Sequence, residues 1–165
     1  MAQPTINLNQ FTQAPVVGQE ALGIGGPNNV IQAVVSPTGS PSLAPGQAIK
    51  FDTTILQAGI PAIVACAANA YADGYILYDV KAGGALTAGT FVEILIGGFL
   101  WMYVDGTTID QGTVVEDTAN VGGVEPLGTT GGAYPRGIAI DYGVTGALIR
   151  VNLMPAVTKV CAAAA

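Results

Sequence analysis

The 165-residue chain contains no histidine, and only 10% of its residues are charged. Without histidine, Ser-His and Cys-His nucleophilic pairs are excluded, and the commonest neutral-pH general base and metal ligand is missing. Charge normally makes up about a quarter of a soluble chain, so little is available here to keep apolar surface wetted, and much of the surface is expected to face protein. Long apolar runs are missing too. The longest nearly apolar one, Ile60 to Ala72, is broken by Pro61 and Asn69 and is too short to cross a bilayer. No membrane is therefore expected as a partner. The first ten residues lack the positive cluster and apolar core of a secretory signal. Five basic residues, Lys50, Lys81, Arg136, Arg150 and Lys159, are scattered through a chain of net charge -6, so no clustered face for neutralising phosphates is expected and direct nucleic-acid binding is not anticipated. The two cysteines, Cys66 and Cys161, stand in no CxxC or metal-ligand spacing. Cys66 reads as a small core residue and Cys161 as a free thiol, with a disulfide between them left open.

What the chain does have is apolar residues (50%), 23 glycines and 10 prolines. The stretch from Leu86 to Glu116 holds two apolar runs separated by Gly97-Gly98 and closed by Asp105-Gly106, pairs that accept the positive φ of tight hairpin turns, so a β-meander is expected there. Leu86-Thr-Ala-Gly-Thr-Phe-Val-Glu93 is echoed by Ile109-Asp-Gln-Gly-Thr-Val-Val-Glu116 and, more loosely, by Leu43-Ala-Pro-Gly-Gln-Ala-Ile-Lys50. In each, a glycine turns the chain into a strand that then alternates. The unequal spacing of Gly46, Gly89 and Gly112 argues against a solenoid or propeller and for one domain with recurring turns.

Residues 1–42 are broken up by Pro and Gly and read as an extended N-terminal arm, with Val30 to Val35 as its one short strand. From residue 43 to 155, strands are expected at Gln47–Asp52, Ile60–Ala67, Tyr75–Val80, through the meander, and at Arg136–Tyr142 and Gly146–Met154, with Thr118–Gly132 as a long surface loop. The last of these strands is expected to be buried on most of both faces. Residues 156–165 form a tail. The fold class is all-β: a single β-sandwich or β-barrel-like domain of short antiparallel strands with an extended N-terminal arm.

Candidates for chemistry are few. Glu93 and Glu116 hold corresponding places in the echoed motif and would suit paired-carboxylate catalysis if they faced each other, but solvated strand-face carboxylates explain them as well. Asp105 to Asp110 lacks the ligand alternation of a calcium loop and reads as a hairpin turn. No Lys-Ser or Lys-Thr follows the glycine pairs, so no phosphate loop is present. No catalytic residue, metal or cofactor is expected. Phe99, Trp101 and Tyr103 alternate with Leu100, Met102 and Val104, which makes a strand with two apolar faces. Either both faces are covered by this chain, or one meets a partner. Val30 and Ile31 join those aromatics as candidate residues of an oligomer or capsid interface.

The order Pro45-Gly46-Gln47-Ala48-Ile49-Lys50, the motifs at Leu86–Glu93 and Ile109–Glu116, Arg136-Gly-Ile-Ala-Ile-Asp141 and Ala147-Leu-Ile-Arg-Val-Asn152 resembles the structural cement, or head-decoration, proteins of tailed bacteriophages. The resemblance covers residues 43–153. It implies a β-rich virion protein, made in the host cytoplasm, that sits on the outer capsid surface between subunits of the major capsid protein. It also implies a homo-oligomer, a trimer favoured over a dimer, with no catalytic residues to carry over. The other reading is a carbohydrate-binding or adhesin-type β module, whose mark would be an exposed aromatic platform.

Overall fold

The computed structural model describes residues 15–21, 28–38, 42–57, 59–67, 70–78, 86–129 and 134–153. Nine strands are described: β1 Asn29–Val35, β2 Ala48–Gln57, β3 Ile60–Ala65, β4 Gly74–Ile76, β5 Phe91–Val104, β6 Val114–Asp117, β7 Gly123–Pro126, β8 Gly137–Ala139 and β9 Leu148–Leu153. The all-β expectation holds. The strands close two circuits that share β5. In the first, β1 pairs with β3, β3 with β2, β2 with β4, β4 with the first half of β5, and β5 with β1. In the second, the last part of β5 pairs with β7, β7 with β6, β6 with β8, β8 with β9, and β9 with β5. Closure of this kind pairs strand edges that would otherwise invite aggregation.

The two barrels have one topology. Each contains a single parallel pairing, β1 with β3 and β5 with β7, and four antiparallel ones. The loop bonds repeat in step: Ser36 N to Ile63 O matches Asp105 N to Val124 O, Asp73 N to Ile49 O matches Arg136 N to Val115 O, and Leu77 N to Glu93 O matches Ile140 N to Arg150 O. The chain is thus a structural duplication in which β5 is the fifth strand of the first unit and the first strand of the second.

The recurring glycine motifs are the turns of this duplication. Gly46, Gly89, Gly112 and Gly146 have φ of 79°, 81°, 84° and 83°. Each is the third residue of a turn closed by an i to i+3 bond: Gln47 N to Ala44 O, Thr90 N to Thr87 O, Thr113 N to Asp110 O and Ala147 N to Val144 O. A β-turn with positive φ at its third residue is a type II turn, which demands glycine there. The motifs then meet in pairs, Leu43 bridging Leu86 and Ile109 bridging Gly143. Leu43–Lys50 therefore corresponds to Ile109–Glu116, whereas Leu86–Glu93 is the partner of the first motif and not the counterpart of the third.

Other expectations are corrected. Gly97-Gly98 makes no hairpin: β5 runs straight through it for 14 residues, and Gly98, at φ 126°, carries the strand from one barrel to the other. The meander is absent, since β5 pairs with β7 and β9 rather than with β6. The expected surface loop Thr118–Gly132 contains β7, with Val124 fully buried. β9 alternates cleanly, its Ile149, Val151 and Leu153 buried and the other three half-buried, instead of burying both faces. The first barrel begins at Asn29, inside the stretch read as an arm. The tail 156–165 and Cys161 lie outside the described residues.

Each barrel holds its own apolar filling. Val35, Ile49, Ile63, Ile76 and Ile94 fill the first; Val104, Val115, Val124, Ile149 and Val151 fill the second. Burying a side chain of this kind contributes about 1.5–3 kcal/mol. Tyr75, Leu77 and Leu95, carried on strands of the first barrel or just after them, pack into the second cluster and join the two units.

Candidate functional site

Where the barrels meet, a buried polar cluster draws on both. Tyr75 on β4 donates its hydroxyl to both carboxylate oxygens of Asp117 at the end of β6, at 3.1 and 3.2 Å. Arg136, just before β8, sets its Nε 2.7 Å from Asp117 Oδ2. That approach lies off the hydrogen-bond direction of Nε, so the contact is ionic rather than a directed bond. Arg136 Nη2 lies 4.0 Å from the sulfur of Cys66, which follows β3. Asp117, Arg136 and Cys66 border a cavity of about 140 Å3, together with Gly46, Asn120 and Gly122.

The electrostatics describe a bolt. Burial pushes the Tyr75 hydroxyl well above the ordinary tyrosine range, and the Asp117 charge adds to it. Burial also raises Asp117, against the pull of Arg136 and of the Tyr75 hydroxyl. The Cys66 thiol is raised by burial, which outweighs the neighbouring guanidinium, so it lacks the thiolate character of a reactive cysteine. Cys66 is half-buried, near the sequence expectation of a small core residue.

A strap crosses the same junction. Residues 18–21 lie antiparallel along β5: Gly18 N donates to Trp101 O, Trp101 N to Gln19 O, and Ala21 N to Phe99 O, each at 2.9 Å. Tyr78 N, beyond β4, donates to Gly18 O at 2.7 Å. Val17 fits over glycine: a Cβ on Gly46 would come within 2.8 Å of its Cγ1, and one on Gly122 closer still. This part of the N-terminal segment is ordered on its own body. Residues 1–14 and 22–27 lie outside the described residues.

The aromatic stripe faces outward. Leu100, Met102 and Val104 point into the second barrel at 0% exposure, while Trp101 and Tyr103 are half-buried on its outside and Phe99 is nearly covered. Both faces of the strand are therefore apolar, as expected, and the outer one is partly covered by this chain. Val30 is exposed and Ile31 half-buried, near the start of β1 in the other barrel, so the structure does not gather the five candidates into one patch.

Glu93 and Glu116 are not brought together. Glu93 is exposed opposite Gln32, whereas Glu116 is buried opposite Glu125 on β7 and accepts from Gly128 N at 3.0 Å. The catalytic pairing of Glu93 with Glu116 is thereby overturned. Asp105 does not serve a hairpin either: its Oδ2 accepts from Thr118 Oγ1 at 2.7 Å and Asn120 Nδ2 at 2.8 Å, which holds its carboxyl below the usual range. Among the described residues no group of three or more acidic or cysteine side chains is placed to hold a metal ion, and no helix is long and apolar enough to cross a membrane. Sequence reading missed the Tyr75, Asp117 and Arg136 cluster, whose only local signal is polar residues inside otherwise apolar strands.

Among solved structures, the chain is similar to the N base of the head fiber gp8.5 of bacteriophage phi29, with a TM-score of 0.47 and 14% identity over 76% of this chain and 93% of that chain. No protein-family model and no curated protein matches it.

Proposed function

We propose that this is a virion structural protein of a tailed bacteriophage, one that binds the outside of the capsid and cements adjacent subunits of the major capsid protein. The sequence resemblance across residues 43–153 suggests the class. The structural observation that supports it is apolar surface left uncovered on a body that is only 10% charged: Phe91 is 63% exposed, Tyr142 62% and Val144 50%. Side chains of this kind suit burial against protein. Two barrels bolted together make a stiff body, and a stiff body loses little entropy when it is fixed between two subunits. Self-association, as a trimer, multiplies weak contacts through effective concentration. No catalysis, cofactor or nucleic acid enters this reading.

The test is co-sedimentation of the purified chain with expanded heads of its phage that lack it, counting bound copies per capsid subunit. Saturation at a fixed simple ratio is expected; absence of binding overturns the proposal. The carbohydrate-binding alternative draws on exposed Tyr142 and Tyr78, at 62% and 41%. It predicts a fluorescence change with glycans in place of head binding.

A further inference from the structure

Within the nine strands the chain passes from the first barrel to the second inside β5, at Gly97-Gly98. That crossing is suited to act as a pivot. Gly98 has a φ of 126°, which favours glycine, and a Cβ on Gly97 would meet nothing nearer than 3.9 Å. On one side of β5 the pairing changes hands at this point: Gly97 pairs with Asn29, the first residue of β1, and Gly98 with Leu153, the last of β9. No partner strand there runs across the crossing.

The other side of β5 is bridged by the strap. By strand alternation the odd-numbered residues of β5 direct their N–H and C=O groups to that side. Leu77 N, just beyond β4, donates to Glu93 O, while Tyr103 N and Asp105 N donate to Gly122 O and Val124 O of the second barrel. Between these, Phe99 and Trp101 are bonded to residues 18–21. Gly18 holds both units at once: its N–H donates to Trp101 O, and its C=O accepts from Tyr78 N of the first barrel. Val17 does the same by packing, against Gly46 in the turn before β2 and Gly122 in the turn before β7. The fit leaves no slack, since a Cβ on Gly18 would come within 2.5 Å of Gly46 N.

We propose that residues 17–21 are a latch on this pivot: seated, they hold the barrels together, and lifted, they let the barrels swing apart transiently about Gly97-Gly98. The swing parts the Tyr75 hydroxyl from Asp117 and bares Tyr75, Leu77 and Leu95, which pack into the second cluster when the latch is closed. This inference is independent of capsid binding.

Nitration of Tyr75 by tetranitromethane, located by peptide mass, tests it, because Tyr75 is 0% exposed while the barrels are closed. Two full-length variants lift the strap without touching either barrel: Gly18→Val, which crowds Gly46, and Ala21→Pro, which lacks the N–H bonded to Phe99 O. In both, the Trp101 amide is expected to lose protection and Tyr75 to be nitrated on the order of tenfold faster than in the parent. The amides of Ile94 and Met102, each inside one barrel, are expected to keep their parent exchange rates. Unchanged nitration with a deprotected Trp101 overturns the proposal, since the strap then lifts and the barrels stay together. Loss of protection at Ile94 and Met102 in step with Tyr75 overturns it too, because the barrels then unfold instead of parting. So does a Trp101 amide still protected in both variants, which would mean that the strap is not held by this fit.

Discussion

Tyr71 and Tyr134 hold the same position in the two halves of the duplication, each two residues before the residue whose N–H bonds back to the second strand of its unit, and their rings meet edge to face at 5.0 Å and 74°. Corresponding residues touch where a pseudo-twofold axis passes between them. The same relation carries β5 one way across the junction while β9 and β1 run the other way, end to end. Edge-to-face aromatic pairs contribute about 0.5–1.5 kcal/mol beyond their area. A double-mutant cycle of Tyr71→Ala and Tyr134→Ala, read by denaturant unfolding, is expected to return a coupling in that range. Additive losses would show that the rings merely lie close.

The junction is held more strongly by the buried ion pair. Asp117→Asn leaves the Arg136 guanidinium, 3% exposed, without its counter-charge. Breaking such a pair from one side costs about 3–5 kcal/mol, whereas replacing both members with apolar side chains of similar size is often close to neutral. Equilibrium unfolding is expected to show Asp117→Asn as far less stable than the double variant Asp117→Leu, Arg136→Met. Equal losses would mean that the pair contributes mainly packing.

Adjacent glycines in β5 separate what the sequence showed from what it hid. At Gly98, φ is 126° and an added Cβ would run into the Asn28 side chain, whose Oδ1 accepts the N–H of Phe99 at 2.7 Å. At Gly97 an added Cβ would meet nothing nearer than 3.9 Å. Gly98→Ala is expected to cost about 1–3 kcal/mol, and Gly97→Ala to stay within about 1 kcal/mol. Thermal unfolding of the two variants checks the contrast.

That glycine pair was legible as a break in regular backbone, but local preference does not say whether a break turns the chain or hands a strand to a second barrel. The strand-opening turns were legible because type II geometry needs glycine at one position and repeats at Gly46, Gly89 and Gly112. Their pairing was not, since Leu43 meets Leu86 only once the barrel closes. β7 escaped notice because Gly-Val-Glu-Pro has no apolar run; it is a strand by virtue of its neighbours. The junction cluster joins Tyr75 to Asp117, residues far apart in sequence, and no spacing rule connects them. The aromatic stripe was read correctly as a strand with two apolar faces, since alternation is a local property.

One hydrogen bond occurs in both barrels with its ends exchanged. In the first, Ser36 Oγ donates to Asp52 Oδ2 at 2.7 Å; in the corresponding place of the second, Thr118 Oγ1 donates to Asp105 Oδ2 at 2.7 Å. The geometry tolerates the carboxylate on either strand, so the swapped variant Asp105→Ser, Thr118→Asp is expected to melt close to the parent. Each single substitution removes the bond, and Thr118→Asp also sets two carboxylates side by side, so both are expected to melt lower. If the double variant melts no higher than the worse single, the bond is not transferable.

Arg150 holds Asp141 in a fork, Nε to Oδ2 at 2.9 Å and Nη2 to Oδ1 at 2.6 Å, and the Arg150 N–H adds a third bond at 3.0 Å. These hydrogen bonds hold the Asp141 carboxyl below the usual carboxylate range, outweighing its partial burial. A folded-state value below the unfolded one means that the unfolded chain takes up the proton first as pH falls. The stabilisation is therefore complete above the ordinary aspartate range and is lost as pH drops through the lowered value. Asp141→Asn is expected to be less stable than the parent at neutral pH, with the difference narrowing below about pH 4. An NMR titration of Asp141 is expected to move back toward the ordinary range in Arg150→Met. If the two stability curves stay parallel into acid, the fork does not carry the pH dependence.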